Sequence, residues 1–163
     1  MHGIIDVTEY EKLIRRESDR RFTNNQVTGI EGMTIREKAR MQHTIGVAGE
    51  VAARIQLDLD PYGVVNDAIG KPDIEVAGHK YDVKTVLSHR RILNVQFYES
   101  IFEHKGDWEI FVMMYEGYGW RFKFDQVIPF RALKWLPLAE PRGGHRSQFW
   151  AFDLDADWTD RGK

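Results

Sequence analysis

Residues 71–84 read KPDIEVAGHKYDVK, and apolar and polar side chains alternate on both sides of the central glycine. A period of two is typical of β-strands, because successive side chains point to opposite faces of the strand. Gly78-His79 would suit a two-residue turn of type II′, which favours glycine first. The pattern therefore predicts a β-hairpin whose short strands cover residues 73–76 and 81–86.

The two faces of this predicted hairpin differ in chemistry. Residues opposite one another share a face, so Asp73 would face Lys84 and Glu75 would face Asp82. One face then holds Ile74, Val76, Tyr81 and Val83, and the other holds Asp73, Glu75, Asp82 and Lys84. The polar face is open to two interpretations. It is either a solvent-exposed side with one weak salt bridge, or a site where a divalent cation offsets the repulsion between Glu75 and Asp82.

Two helices are predicted before the hairpin. Residues 8–11 (TEYE) and 34–37 (TIRE) have the form of capping boxes, and they would open helices that reach about residue 22 and residue 59. In the second helix, Gly46 and Gly49 lie three positions apart on one ridge. Two glycines on one ridge would let this helix approach the sheet closely.

The segments after the hairpin are mostly strands. Residues 108–115 and 120–128 alternate as strands, and residues 149–154 form a candidate last strand. Residues 91–97 are ambiguous between strand and helix, whereas residues 98–104 favour a helix. The order of elements predicts an α/β fold with one mixed central sheet flanked by helices.

Length and composition narrow the class of protein. A chain of 163 residues suits one domain, and 42% hydrophobic with 29% charged residues is typical of a globular protein. The absence of cysteine excludes disulfides and thiolate metal sites. No apolar run is long enough to cross a membrane, and the N-terminus lacks the features of a signal peptide. We therefore expect a cytoplasmic protein with no membrane partner. The net charge of −2 does not by itself indicate nucleic-acid binding.

The hairpin resembles a known family. Pro72-Asp73, eight further residues and then Asp82-Val83-Lys84 resemble the PD-(D/E)XK pattern of restriction endonucleases, Holliday-junction resolvases and related phage and repair nucleases. Residues 45–50 (IGVAGE) resemble the family's core helix, and residues 107–112 (DWEIFV) resemble its next core strand. The resemblance implies a restriction endonuclease-like core over about residues 34–128 of a single domain, residues 1–163, with an N-terminal helix and a C-terminal extension outside it.

This resemblance implies a Mg²⁺-dependent DNA endonuclease, in which Mn²⁺ would substitute for Mg²⁺. Asp73 and Asp82 would ligate the metal together with the Val83 backbone carbonyl, and Glu50 would assist through a bound water or a second metal. Lys84 would orient or deprotonate the attacking water and offset charge that develops on the phosphate. DNA would be the partner, and small members commonly work as homodimers. A small standalone nuclease of this kind would suit a phage.

Further residues are weaker candidates. His89, Arg90 and Arg91 follow the predicted catalytic strand and would bind DNA phosphates, unless they are plain surface. Gln96 lies where exonuclease-like members have a glutamine followed four residues later by tyrosine. Position 100 is Ser100, so that motif is broken and exonuclease action is disfavoured.

Two alternative functions and the role of one acid remain open from the residues alone. The chain could be a non-catalytic DNA-binding module on the same fold, or a structural or interaction protein in which the motif occurs by chance. The family pattern does not require Glu75, which is therefore either an added metal ligand or an exposed acid.

Overall fold

Two long helices precede most of the strands, and a short helix lies between two of the later strands. The computed structural model describes residues 3–24, 32–66, 68–140 and 148–155. Its helices are α1 (Glu11–Asn24), α2 (Gly32–Gln56) and α3 (Ile101–Lys105). Both predicted long helices are confirmed within a few residues. Within the described residues, no helix combines the length and the apolar character needed to cross a membrane.

The helix starts differ from the predicted capping boxes. A 3₁₀ turn, Thr8–Tyr10, precedes α1. The carboxylate of Asp6 accepts the Thr8 backbone N–H at 2.9 Å, so the acid that assists this turn lies before it and not three residues after it. Helix α2 begins at Gly32, which places Thr34 inside the helix.

Seven strands within the described ranges form two sheets. They are β1 (Ile4–Asp6), β2 (Ile74–Val76), β3 (His79–Leu87), β4 (Ile92–Gln96), β5 (Glu109–Tyr115), β6 (Arg121–Pro129) and β7 (Phe149–Asp153). The larger sheet has the order β1-β6-β5-β3-β2, and only its β3–β5 pair is parallel. The predicted α/β class with a mixed central sheet is confirmed.

The prediction of a single sheet was incomplete. Strands β4 and β7 pair with each other in a separate antiparallel sheet of two strands. This pairing settles the ambiguous segment 91–97 as a strand. Strand β1 was not predicted, and it extends the larger sheet by pairing with β6. Both features depend on partners far away in sequence, which a local pattern does not reveal.

Both faces of the five-stranded sheet are covered, and strand β5 shows this most clearly. Phe111 and Met113 belong to a core that includes Val47, Ala48, Val51 and Ala52 of α2. Ile110 and Val112 point the other way, into a second core with residues of β4, β7 and α3. A strand buried on both faces is hydrophobic at consecutive positions, as β5 is. Helix α2 and the small sheet therefore lie on opposite sides of the larger sheet.

The β2–β3 hairpin forms as predicted, but its turn and register differ. Ala77 and Gly78 are the turn residues, with φ angles of 50° and 83°, which are the two positive values of a type I′ turn. The pairs are Ile74 with Tyr81, Glu75 with Lys80, and Val76 with His79. The predicted register is therefore wrong by two positions. An even shift leaves every side chain on its predicted face. It places Glu75 opposite Lys80, so the predicted repulsion between Glu75 and Asp82 does not arise.

The turn offers a test of this register. Ala77 occupies a left-handed conformation that costs an ordinary L-residue about 1–2 kcal/mol. Asparagine tolerates this conformation, so Ala77→Asn is expected to raise the free energy of unfolding by about 0.5–1 kcal/mol in urea denaturation. The control Gly78→Ala, at the second positive φ, is expected to lower it. The observed register would be contradicted by an Ala77→Asn variant that is no more stable than the parent.

Candidate active site

The site begins where strand β2 ends. One residue before β2, the Asp73 carboxylate accepts the backbone N–H of Val83 at 2.8 Å. A side chain thus replaces the main chain as the partner of β3 at this point. The guanidinium of Arg54, on α2, donates to the Asp73 backbone carbonyl at 3.2 Å. Asp73 is therefore held on both its main chain and its side chain.

Asp82 and Lys84 lie two positions apart on β3 and share a face, as the alternating pattern predicts. The Lys84 ammonium lies 3.7 Å from the Asp82 carboxylate, with 34% and 11% of the two side chains exposed. The pKa of Lys84 is raised by the negative charge of Asp82 and, more weakly, by those of Asp73 and Glu50, against the opposing effect of burial. Lys84 is therefore a protonated cation, and the negative charges of three acids stabilise its charged form.

Glu50 lies on α2 and is buried, with 8% of its surface exposed. The Arg21 guanidinium donates to both of its carboxylate oxygens, at 2.7 and 2.9 Å. Arg21 also donates to the Val64 carbonyl at 3.1 Å and to Glu17. A bidentate pair of this kind fixes the orientation of a carboxylate. Glu50 is thus oriented by α1, a helix outside the segment on which the family resemblance rests.

One of the two predicted glycines brings α2 close to the sheet. A Cβ atom on Gly49 would lie only 2.0 Å from the Thr85 hydroxyl of β3, so no larger residue fits this contact. A Cβ atom on Gly46 would meet nothing within 4 Å. Gly46 instead borders a cavity of about 300 Å³ beside the Arg21–Glu50 pair, which Gln42, His43 and Val47 also line.

The four predicted catalytic residues influence one another through their charges. Val83 packs in the core beneath α2, so Asp82 and Lys84, at alternate positions, point to the opposite face of β3. Glu50 approaches from the α2 side. Burial raises the pKa of Asp73 well above its usual range, and the negative charges of Glu50 and Asp82 raise it further. Asp73 is thus the group that both other acids influence.

Lys105, on α3, belongs to the same cluster and was not identified from the sequence. Its ammonium lies 3.6 Å from the Asp82 carboxylate. It also lies 5.0 Å from the centre of the Trp108 ring and 5.7 Å from that of Phe130. No motif marks this lysine, because only the packing of α3 against the sheet brings it to Asp82.

The predicted DNA-binding residues His89, Arg90 and Arg91 follow β3, and the structure places them in different surroundings. Arg91 is half-buried, and its guanidinium donates to both oxygens of Asp125 at 2.6 and 2.7 Å. It also donates to Asp155. These hydrogen bonds raise the pKa of Arg91. His89 and Arg90 are exposed and remain candidates for DNA contacts, whereas Arg91 already joins β4 to β6 and the C-terminal segment.

The donor atoms near Asp73 suit a hard cation. Asp73 and Asp82 offer carboxylate oxygens, and the N–H and C=O groups of one strand residue point to the same side, so the Val83 carbonyl points towards Asp73. Among the described residues, no group of three or more acidic or histidine side chains is close enough to form a complete metal site. Mg²⁺ does not need one, since it is commonly held by one or two carboxylates with waters and substrate phosphates. The residues fit Mg²⁺ through Asp73 and Asp82, while both oxygens of Glu50 are held by Arg21.

Comparison with known proteins identifies no relative. No family model matches the chain, and no curated protein or solved structure matches it either. The indications of function therefore lie in the residues themselves and in the geometry around Asp73.

Proposed function

We propose that this protein is a Mg²⁺-dependent nuclease that hydrolyses phosphodiester bonds in DNA, on a restriction endonuclease-like fold. The observation that supports this most directly is the placement of Asp73, which is half-buried and interacts with the negative charges of Glu50 and Asp82. Burying carboxylates together is unfavourable unless a cation compensates. A divalent cation at this point would convert that cost into binding free energy.

The chain order around the site also supports the fold. Asp73 immediately precedes β2, Asp82-Val83-Lys84 lies on β3 of the same hairpin, and β3 then pairs in parallel with β5. Parallel pairing requires a crossover, which here includes β4 and α3. A glutamate on a helix that packs against the same sheet completes the arrangement that the family resemblance implies.

Asp73, Asp82 and the Val83 carbonyl would hold Mg²⁺, which would supply a Lewis acid and lower the pKa of a bound water. The Asp73 carboxylate accepts the Val83 N–H through its Oδ2 atom, which leaves the Oδ1 atom for the cation. The contact also sets the direction of its remaining lone pairs. Glu50, oriented by Arg21, would act at a distance through water.

Lys84 would act on the reacting phosphate. Its raised pKa keeps it protonated at neutral pH, so it is a donor and a positive charge and not a general base in its resting state. A protonated lysine beside the metal ligands would orient the attacking water and stabilise negative charge that grows on the phosphate oxygens. The proposed interaction between the Lys84 ammonium and the phosphate oxygens would therefore strengthen in the transition state.

A cleavage assay tests the proposal. Plasmid, branched and single-stranded DNA are each incubated with the protein in Mg²⁺, in Mn²⁺ and in EDTA. We expect cutting of at least one substrate in either metal and none in EDTA, because the carboxylates alone provide no Lewis acid. The products are expected to have 5′-phosphate ends.

The outcomes distinguish the alternatives. Binding of DNA without cutting in either metal would instead favour a non-catalytic DNA-binding module. Neither binding nor cutting would favour a structural or interaction protein. Glu75→Gln is a matched control, because Glu75 lies on the same hairpin but is exposed and faces Lys80. This variant is expected to cut like the parent.

A further inference from the structure

Two lysines approach the same carboxylate oxygen at the site. The ammonium groups of Lys84 and Lys105 lie 3.7 and 3.6 Å from the Oδ2 atom of Asp82. Neither distance is that of a short charge-assisted hydrogen bond, which would be about 2.7–2.9 Å. Asp82 therefore attracts two cations, and its single negative charge cannot by itself neutralise both.

The surroundings of Lys105 hold its ammonium at this position. The group lies over the faces of Trp108 and Phe130, and 22% of the side chain is exposed. Aromatic faces attract a cation but provide no hydrogen-bond acceptor with a full charge. Among the residues that the structure describes, this partly exposed ammonium with three donors meets one distant carboxylate and two rings.

Helix α3 is also tied to the segment that leads into Asp73. His104 lies next to Lys105, and its ring contacts the Gly70 carbonyl through Nε2 at 2.8 Å. The other ring nitrogen contacts the Tyr98 hydroxyl at 2.7 Å. These contacts join the approach to Asp73 with the helix that supplies Lys105. Lys105 is therefore positioned by the same framework as the carboxylates.

We propose that Lys105 is a phosphate-binding residue of this site, and that it contacts a backbone phosphate of the DNA substrate. The inference rests on the proposed nuclease function. A cation bound by Asp82 would compete with both lysines for its oxygens and would repel their ammonium groups. Lys105 then needs another anion within reach, and a phosphate is a good partner for a lysine point charge.

A contact of this kind predicts a particular effect on DNA affinity. Removing one phosphate-binding cation weakens binding to all sequences alike and lowers the slope of log Kd against log salt by about one. At about 0.05 M salt the loss should be roughly tenfold. A purely structural lysine, which only fixes α3 on Trp108 and Phe130, would leave the slope unchanged.

The test uses Lys105→Met, which keeps an unbranched apolar side chain of similar length beside the rings but removes the ammonium group. Binding of a labelled DNA duplex is titrated in Ca²⁺, a hard cation with the same preference for oxygen ligands, over a series of salt concentrations. Lys105→Arg restores the charge and should bind nearly as well as the parent. Lys134→Met is the matched control, since the Lys134 ammonium lies 5.0 Å from the Phe102 ring, the same distance as Lys105 from Trp108.

Each result is decisive. A tenfold loss with a reduced slope in Lys105→Met, and parental binding in Lys105→Arg and Lys134→Met, would support the inference. If the parent cuts DNA while Lys105→Met binds like Lys134→Met with the parental slope, Lys105 is structural and only this inference fails. A parent that neither binds nor cuts DNA would overturn the nuclease function together with the inference. If Lys105→Met fails to fold, reduced slope and affinity in a Lys105→Gln variant would decide in its place.

Discussion

Replacing Lys84 with alanine is expected to lower the single-turnover rate of DNA cleavage by about 100- to 1000-fold, which is typical for loss of one transition-state donor. DNA binding should persist, because the ammonium stabilises charge that develops mainly as the phosphate reacts. If Lys84 only forms an ion pair with Asp82, its removal would cost at most about 1 kcal/mol of stability, since one third of the side chain is exposed. Cleavage would then continue near the parental rate.

Lys80→Ala is the control for this experiment. Lys80 lies on the same strand and the same face as Lys84, and its ammonium is 3.5 Å from the Asp107 carboxylate. The two variants therefore lose similar ion pairs at different distances from Asp73. Single-turnover rates and a parallel DNA titration separate chemistry from binding. Equal rates in the two variants would exclude a catalytic role for Lys84.

Replacing Asp73 with asparagine is expected to have opposite effects on activity and stability. Loss of a residue that hydrogen-bonds to a metal ligand commonly lowers metal affinity or activity by about 10- to 100-fold. Loss of a metal ligand itself should therefore reduce cleavage by at least about 100-fold. The folded protein should become more stable in EDTA. A neutral amide removes the repulsion from Glu50 and Asp82, and its oxygen can still accept the Val83 N–H.

The pH dependence of the unfolding free energy gives an independent measure of the repulsion between Asp73 and the other two acids. Because the pKa of Asp73 is raised on folding, the folded state keeps this proton while the unfolded chain loses it at about pH 4. The unfolding free energy of the parent should therefore fall as pH rises from about 4 through the raised pKa. Asp73→Asn should lack this part of the fall. Urea titrations of both proteins in EDTA measure the difference, and an Asp73→Asn variant less stable than the parent at pH 7 would contradict the crowding of the three acids.

Much of the local structure follows from the sequence, because it depends on neighbours in the chain. The alternation in residues 73–86 predicts which side chains share a face of the hairpin, and this assignment is correct although the turn is misplaced. The error arose at Ala77, since a non-glycine residue with positive φ is not expected from its side chain. The even shift preserved the faces and changed the cross-strand partner of each residue, so Glu75 lies opposite Lys80 and not opposite Asp82.

The candidate site was predicted in part for the same reason. Asp73, Asp82 and Lys84 lie on one hairpin, so their proximity is a local property. Glu50 was assigned by resemblance, and its approach to the sheet requires Gly49 to pack against Thr85. The pairing of Arg21 with Glu50 and of Lys105 with Asp82 was not predicted. No periodicity relates these pairs, because they come from separate elements that meet only after packing.

The amino-acid sequence by itself determined the hairpin, the helices and most of the strands, because backbone periodicity and turn preferences act over a few residues. Tertiary structure decided which faces of the sheet are covered, that β4 and β7 form their own sheet, and that Arg21 and Lys105 join the acids. Electrostatic interactions act through space and not along the chain. The raised pKa of Asp73 therefore exists only when α2, β2 and β3 are assembled around it.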